Sequence, residues 1–506
     1  MTELSYRKVF TTLAAIFLIW GADPFTRSCY GSGGRTNAAS PAPLPVATPA
    51  PAYFVAPNGV DKGNNAGTIS APFQTWAKAQ SMMETTSIKT TYLRAGTYKL
   101  SRAITLTSAD NGETWSYYPP DGYNTAILDF SQQVFSYPAN NFAVIIQGGS
   151  NITINGLDIR NMAGGGIVIH GGPAYYDVTY KGSYNFEATG RAYHNTIINN
   201  LLHDSRIGPQ GSPGGMPWVT WCAFISAWGD VQNTTISNNA VYDAAWLVGI
   251  IVGVLQEGPG GGINNAVISN NFVSHVLSGT TADNTDAGAI YLNDRWPAKS
   301  TNIKVTNNFV RDAGYSGLAK GLGDFCFYFD DGASNITLSQ NICAGTWTAA
   351  VFYHAGQNNT TAGNIFDLGT SDSLPQYPFL QQAEQLPMTG NSFTANIVIS
   401  SSRNGGGKFG GFRFRTNSHA NIDHNMYWNY AGGAANYGGT DISKSGGSGG
   451  DPHPVVADPL LSGWTYTLAP NSPAFRSPVN FVAIPGKWGP PGFVVPHTGT
   501  KPSCPH

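Results

Sequence analysis

The sequence predicts an all-β solenoid, in which short strands wind into coils that stack on one another. A motif of asparagine, alternating Thr/Ile-type residues, a second asparagine and then apolar residues recurs along the chain. The shortest spacing between two copies is 23 residues, which suits one coil of three short strands and three turns. The composition agrees, because 61 glycines among 506 residues suit a β protein with many turns.

The repeat marks where each coil turns. Copies read NTIINNLL from Asn195, NTTISNNAV from Asn233 and NAVISNNFV from Asn265. The final asparagines, with a further turn at Asn396, are Asn200, Asn239, Asn271, Asn308, Asn341, Asn364 and Asn425. The larger spacings, of 32 to 39 residues, indicate one coil plus a loop. Asparagine tolerates left-handed backbone geometry, and stacked amides can hydrogen-bond from coil to coil, so we interpret these asparagines as structural.

The N-terminal region is typical of an exported protein. Arg7 and Lys8 precede an apolar run, Val9–Trp20, that is too short to span a bilayer. We therefore predict an export segment at 1–28 and a Pro/Ala/Gly-rich linker at 29–52, and expect the protein to be secreted, periplasmic or on the cell surface. Lipidation at Cys29 is an alternative that stays open, although TRSC lacks the residues that usually precede a lipidated cysteine.

Charge and cysteine usage exclude several functions. Charged residues make up 11% of the chain and the net charge is −2, so no basic surplus exists to bind nucleic acid or an anionic membrane. The five cysteines form no metal-binding pattern. Because Cys222, Cys326 and Cys343 fall within apolar strands, we expect buried free thiols there.

The repeats over 151–430 resemble those of the pectate-lyase-like superfamily. Within 53–150, YFVAPNGVDKGNNAGTISAPFQTWAKAQ and TTYLRAGTYKL resemble the start of many secreted bacterial β-helix proteins. There an amphipathic helix, here near Phe73–Met83, covers the open end of the solenoid, which would otherwise expose core and unpaired backbone. Within 431–506, VVADPLLSGWTYTLAPNSPAF resembles their closing segment. The resemblance implies a single-stranded, right-handed parallel β-helix with a short N-terminal capping helix, and a carbohydrate as its partner.

Polar residues recur at one position of the strand that follows each asparagine turn. GGIVIHGG ends in His170, GAIYLNDR contains Asn293 and Asp294, FCFYFDDG contains Asp330, and AAVFYHAG contains His354. Parallel coils stack about 4.8 Å apart. We therefore expect Asn293, Asp330 and His354 to form a polar row on one face.

Hydrolysis of a glycosidic bond needs one carboxylic acid and one carboxylate. The motifs TDAGAIYL and YFDDGAS resemble those of several β-helix glycoside hydrolases, where acids on adjacent coils flank the sugar. We predict Asp286 and Asp330 as the catalytic pair, with Asp331 in place of Asp330 if its side chain is the one facing outward. A spacing near 5 Å would favour retention and a larger offset inversion, and the sequence leaves both open.

Further side chains near this row are predicted to bind substrate. They are His354, His170, Asn293, Asp294, Arg295, Trp296 and Glu257. We predict no metal ligand and no cofactor, although the acidic row could bind Ca²⁺. A monomer is expected, with no transmembrane span after signal removal.

Two other functions stay open. A polysaccharide lyase would need a base such as Arg295 or Lys320, plus Ca²⁺, but cations are sparse in this region. A non-catalytic surface protein could bind glycan through its loops. DPHP from Asp451 is similar to a motif of alginate epimerases, but it follows a Gly/Ser run and leads into the closing strand, which favours a turn.

Overall fold

The structure is a computed structural model. It describes residues 51–136, 141–171, 173–176, 184–187, 190–206, 223–244, 247–254, 263–277, 287–294, 300–314, 324–346, 349–368, 377–382, 388–400, 413–415, 420–429, 436–437, 440–441 and 451–496. The predicted export segment and Cys29 lie outside these residues. Within them, none of the helical segments has the length and apolar character needed to cross a membrane.

The predicted fold class is confirmed: the chain winds through three long, all-parallel sheets, and each full coil gives one strand to each sheet. The strands of sheet 1 are β1 (Tyr53–Val55), β2 (Thr90–Leu93), β5 (Thr114–Tyr117), β8 (Thr153–Asn155), β13 (Thr196–Ile198), β16 (Thr235–Ser237), β19 (Val267–Ser269), β22 (Ile303–Thr306), β25 (Ile336–Ser339), β28 (Thr360–Ala362), β31 (Ser392–Thr394) and β34 (Asn421–Asp423). The strands of sheet 2 are β3 (Gly96–Lys99), β6 (Ala126–Asp129), β9 (Asp158–Arg160), β14 (Leu201–His203), β17 (Ala240–Ala244), β20 (Phe272–Val276), β23 (Phe309–Ala313), β26 (Ile342–Thr346), β29 (Ile365–Asp367), β32 (Ile397–Ser400), β35 (Met426–Asn429) and β38 (Val455–Val456). The strands of sheet 3 are β4 (Ile104–Leu106), β7 (Phe142–Gln147), β10 (Gly165–Gly171), β15 (Ala223–Gly229), β18 (Val248–Val254), β21 (Ala287–Asp294), β24 (Asp324–Asp330), β27 (Ala349–His354), β30 (Tyr377–Gln382) and β33 (Arg413–Arg415).

Short elements lie outside the three sheets. They are the hairpins β11 (Pro173–Tyr176) with β12 (Tyr184–Glu187), β36 (Asn436–Tyr437) with β37 (Thr440–Asp441) and β39 (Leu461–Ser462) with β40 (Thr467–Leu468), and the 3₁₀ turns Ser108–Asp110, Pro119–Asp121 and Pro473–Phe475.

The core is built from apolar side chains that stack in register from coil to coil. In sheet 1 the stacked positions are Ile154, Ile197, Ile236, Ile268, Val305 and Leu338, all fully buried. Complete burial of such a side chain contributes roughly 1.5–3 kcal/mol. A charged residue at one of these positions would be buried without a partner, so it would disrupt its own coil and both neighbours.

The turn from sheet 1 to sheet 2 is fixed by a ladder of buried asparagine amides. Asn341 illustrates the pattern: its backbone N–H and its Nδ2 both donate to Oδ1 of Asn364, at 2.9 and 3.0 Å, and Nδ2 also donates to the carbonyl of Val305. The ladder contains Asn200, Asn239, Asn271, Asn308, Asn341, Asn364, Asn396 and Asn425. The repeat therefore marks the coils as predicted. We name this turn the asparagine corner.

The left-handed residue of this turn is not the ladder asparagine but the residue before it. Positive φ angles occur at Asn199, Asn238, Asn270, Asn307, Gln340, Gly363, Ala395 and His424. The expectation that the final asparagine tolerates the left-handed turn was therefore wrong by one position, and its role is to hydrogen-bond.

The N-terminal cap is the single α-helix among the described residues, α1 (Trp76–Thr85). Thr75 caps it by accepting a hydrogen bond from the backbone N–H of Lys78. Its buried face contains Trp76, whose ring stacks on Trp115 of β5 at 3.6 Å. The predicted helix near Phe73–Met83 is thus present, displaced by two or three residues.

The C-terminal segment returns along the outside of sheet 2. That sheet carries an outward row of aligned, buried apolar residues: Leu201, Ala240, Phe272, Phe309, Ile342, Ile365, Ile397 and Met426. Trp488 packs on Phe309 and Phe493 on Phe272, with ring centroids 5.0 and 5.3 Å apart. The segment therefore covers a second apolar layer as well as following the last coil.

One cysteine prediction was wrong. Cys326 of β24 and Cys343 of β26 form a disulfide, with their Cα atoms 5.9 Å apart. The two side chains are fully buried and face each other across the interior of one coil. Cys222 lies outside the described residues.

Candidate active site

The predicted polar row is present at the end of the sheet 3 strands. Asn293 pairs with Asp330 in the register of β21 and β24. Phe329 pairs with Tyr353, which places Asp330 beside His354 on the next coil. Earlier coils contribute His170, Trp228 and Gly253 to the same row.

This row faces away from the solenoid interior. Tyr353 points inward, because its hydroxyl hydrogen-bonds to Thr361 of sheet 1. Successive side chains of a strand point to opposite faces, so His354 lies on the outer face. The row therefore lies on the outer face of sheet 3, and His354 is its one member that is not buried.

Asp330 is the centre of the row. It is only 4% exposed, yet its carboxylate accepts four hydrogen bonds. The donors are the Tyr291 hydroxyl at 2.5 Å, Asn293 Nδ2 at 3.2 Å and the backbone N–H of Asp331 at 2.7 Å, with Nδ1 of His354 at 2.5 Å. Buried carboxylates are costly unless they are satisfied in this way, and the same bonds fix the side chain in one orientation.

Asp331 brings a second carboxylate to the same side. Its φ of 51° places it in the left-handed region, which ends β24 and turns the chain towards sheet 1. Asn293 Nδ2 donates to Oδ2 of both Asp330 and Asp331, at 3.2 and 3.1 Å. One oxygen from each carboxyl and one nitrogen of His354 all lie within 4.8 Å of one another.

A column of aromatic rings runs beside the polar row on the same outer face. Tyr291 stacks on Tyr328 and Tyr328 on Phe352, with centroids 4.9 and 4.7 Å apart. Phe352 in turn stacks on His354 at 5.6 Å. These contacts hold the Tyr291 hydroxyl and the His354 imidazole against Asp330, so the site rests on a rigid aromatic support.

The first half of the row differs from the second. The ring of Trp228 lies over Gly253 on the next coil, where a Cβ atom would come within 2.1 Å of the indole. His170 is 3% exposed, and burial lowers the pKa of its imidazole to about 3. At four coil spacings of about 4.8 Å, His170 is roughly 19 Å from Asp330 along the row.

The predicted site residues are only partly brought together. Asn293, Asp330, Asp331 and His354 form one cluster, Asp294 is the fully buried residue that follows Asn293, and His170 is far along the row. Asp286, Glu257, Arg295 and Trp296 lie outside the described residues. Ala287, where the described part of β21 begins, pairs with Asp324, six residues before Asp330.

Sequence reasoning missed Tyr291 and Trp228. Both lie on the outer face of sheet 3 strands, at positions that alternate with the core residues. The signal that could have found Tyr291 is the recurrence of aromatic residues two positions before the polar row, at Tyr291, Tyr328 and Phe352.

Two clusters among the described residues have side chains that could hold a metal ion. One is Asp330, Asp331 and His354, and the other is Asp423, His424 and His453. In the first, the Asp330 oxygens already accept bonds from four protein donors, which an ion would have to displace.

No protein-family profile matches the chain, and neither does any curated protein. Among solved structures, a lacto-N-biosidase of glycoside hydrolase family 136 from Eubacterium ramulus is similar, with a TM-score of 0.50 and 12% identity over 80% of this chain and 67% of that chain. An alginate lyase from Paenibacillus matches with a TM-score of 0.40 and 15% identity, over 69% of this chain and 95% of that one. The Streptococcus pneumoniae surface protein and adhesin PfbA matches with a TM-score of 0.43 and 11% identity, over 75% and 94%. At 12% identity, the likeness to the lacto-N-biosidase shows a shared fold and no more.

Proposed function

We propose that this protein is an extracytoplasmic glycoside hydrolase that cleaves a polysaccharide or oligosaccharide at the Asp330 site. One observation carries the proposal: a buried carboxylate at the outer end of a sheet 3 strand has a second carboxylate within 4.8 Å. The neighbouring rings of Tyr291, Tyr328 and Phe352 are buried and hold the site rigid, and the row runs over several coils, in line with an extended substrate. The carbohydrate-active enzymes among the structural neighbours agree with this class of substrate.

Asp330 and Asp331 supply the two carboxyl groups that the reaction needs. Asp330 accepts hydrogen bonds from Tyr291, Asn293 and a backbone N–H, which hold its carboxyl group in one orientation, and it takes the role of nucleophile. Asp331 is less buried and takes the role of acid and base. One oxygen of each carboxyl lies within 4.8 Å of the other, which is shorter than the roughly 6.5–9.5 Å of inverting enzymes and so favours retention.

The reaction then proceeds in two steps. Asp331 donates its proton to the glycosidic oxygen while an Asp330 oxygen bonds to the anomeric carbon and the leaving sugar departs. Asp331, now a carboxylate, takes a proton from the water that displaces Asp330. His354 and Asn293 hold Asp330 in position throughout.

The test is a screen of the purified chain against a panel of polysaccharides and oligosaccharides, with detection of new reducing ends. We expect turnover on at least one glycan, and loss of turnover in Asp330→Asn and Asp331→Asn. The matched control is Asp451→Asn, another buried aspartate with several donors, which should keep its activity.

Two outcomes would contradict the proposal. An ultraviolet-absorbing unsaturated product would identify a lyase. Glycan binding that survives both substitutions, with no product from the wild-type chain, would identify a binding protein.

A further inference from the structure

The last coils carry a second cluster of polar side chains, away from the Asp330 site. It comprises Asp423 and His424, at the asparagine corner between β34 and β35, and His453, at the same corner one coil later. The Asp330 cluster, by contrast, lies at the opposite corner, where sheet 3 leads into sheet 1. The two groups are therefore separate sites.

The two imidazoles converge on one carboxylate. Nδ1 of His453 is 2.8 Å from Oδ1 of Asp423, and Nδ1 of His424 is 3.2 Å from Oδ2. The rings lie nearly parallel, with centroids 5.1 Å apart and an angle of 15° between them. Metal–ligand bonds of about 2.0–2.1 Å at the tetrahedral angle put ligand atoms roughly 3.3 Å apart, so the observed spacings suit a single ion with little movement.

A buried aspartate holds the backbone of both histidines. Oδ1 of Asp451 accepts the backbone N–H of His424 at 3.1 Å and that of His453 at 3.0 Å. Because Asp451 is 1% exposed and also anchored by Asn425 and Tyr427, the two histidines are fixed relative to each other. Their side chains nevertheless stay open to solvent, at 41% for His424 and 64% for His453.

We propose that Asp423, His424 and His453 bind a divalent first-row transition metal ion of the Zn²⁺ type. Two imidazole nitrogens with one carboxylate suit Zn²⁺, Ni²⁺ or Cu²⁺, whereas Ca²⁺ and Mg²⁺ prefer oxygen ligands. The ion would join two successive turns that are separated in the chain by residues 430–450, and so cross-link the last described coils of the solenoid. This site lies apart from the proposed catalytic centre. If no metal ion binds there, the hydrolase proposal is unaffected.

The experiment is a Zn²⁺ titration of the untagged full chain by calorimetry, with free thiols alkylated beforehand so that Cys29, Cys222 and Cys504 cannot contribute. We expect one ion to bind per chain, excess Ca²⁺ not to compete, and His453→Ala and Asp423→Asn each to weaken binding at least tenfold. The control variants are His275→Ala, at a half-buried histidine of β20 that also lies near two aspartates, and Asp331→Asn, in the other cluster, and both should bind as the wild type does.

His453 is mostly exposed, so its substitution should leave the fold intact, which far-ultraviolet circular dichroism checks. Co²⁺ provides a second readout, because a bound Co²⁺ ion should give a visible absorption band that His453→Ala abolishes. The proposal is overturned if wild type and His453→Ala bind Zn²⁺ equally, if the wild type binds none at millimolar concentration, or if Asp331→Asn is the variant that loses the ion.

Discussion

Asp330 and Asp451 are both buried aspartates that accept several hydrogen bonds, yet their surroundings differ. Asp451 accepts five, of which three come from backbone N–H groups and two from Asn425 and Tyr427, and it occupies the next rung after Asn425 in the asparagine ladder. Asp330 accepts four, of which three come from the side chains of Tyr291, Asn293 and His354. A second carboxylate, that of Asp331, lies beside it.

The comparison of Asp451 with Asp330 shows that two corners of the same solenoid use buried aspartates differently. At the asparagine corner the coils from Asn200 to Asn425 repeat the same bonds, so the residues there stabilise the stacking of the coils. At the corner where sheet 3 leads into sheet 1, the coils differ from one another. There the polar side chains around Asp330 hydrogen-bond mainly to other side chains and not to the backbone. Such networks cost stability unless they are complete, so their presence favours function.

The largest expected difference between the two aspartates is in activity. Asp330→Asn should lower kcat/KM on the substrate found in the screen by about 10³-fold, roughly 4 kcal/mol, because the nucleophile loses its charge while its size is kept. Asp451→Asn should leave kcat/KM within about twofold but lower the free energy of unfolding by about 2 kcal/mol, because the amide nitrogen cannot accept from two backbone N–H groups. Equal losses of activity in the two variants would contradict the assignment.

Removal of the Cys326–Cys343 disulfide tests whether this bond is needed to stabilise the coil that contains Asp330. Cys326 lies in the same strand as Asp330, and the bond closes a loop between residues 17 apart. Replacing both cysteines by alanine should lower the free energy of unfolding by about 3 kcal/mol, as measured by denaturant titration. A loss of less than about 0.5 kcal/mol would show that the solenoid alone fixes this coil.

The ladder is best tested at a middle rung. Asn308→Ala removes a fully buried amide whose Oδ1 accepts from Asn271 and whose Nδ2 donates to Asn341, so we expect a loss of about 2 kcal/mol in the free energy of unfolding. The control is Asn302→Gly, at an exposed asparagine that keeps a left-handed backbone and should cost only a few tenths of a kcal/mol. If the two variants unfold at the same denaturant concentration, the buried ladder has no special role.

The last prediction concerns pH and the far end of the polar row. Burial lowers the pKa of His170 to about 3, against about 6.5 in the unfolded chain. Between those values the unfolded chain binds a proton at this residue that the folded chain does not, so stability rises with pH by up to about 1.4 kcal/mol per unit. His170→Gln should remove this slope over roughly pH 4–6, whereas His453→Gln, at an exposed histidine, should keep it.

The asparagine corner was the most predictable part of the molecule. Its bonds depend on residues at a fixed repeat, so Asn341 and Asn364 could be paired from their spacing alone. The polar row was predictable for the same reason: once the turns were numbered, Asn293, Asp330 and His354 had to lie on neighbouring coils.

Other features depend on geometry that no repeat encodes. That Asp331 turns to the same side as Asp330 follows from its left-handed φ, and alternation along a strand would have placed it on the opposite side. The Cys326–Cys343 bond needed the relative direction of two strands in different sheets. The return of the C-terminal segment is a contact between distant parts of the chain, such as Phe493 on Phe272, which short-range patterns do not carry.

The returning segment also has a consequence for biosynthesis. A ribosome makes residues 457–496 after every described coil of the solenoid, so the eight aligned apolar side chains from Leu201 to Met426 are synthesised before the segment that packs on their row. During that interval, or in a chain shortened before the segment, this hydrophobic strip is free to associate with other molecules. Residues 457–496 therefore cover this apolar strip, and the yield of soluble protein should depend on them more than on any single coil.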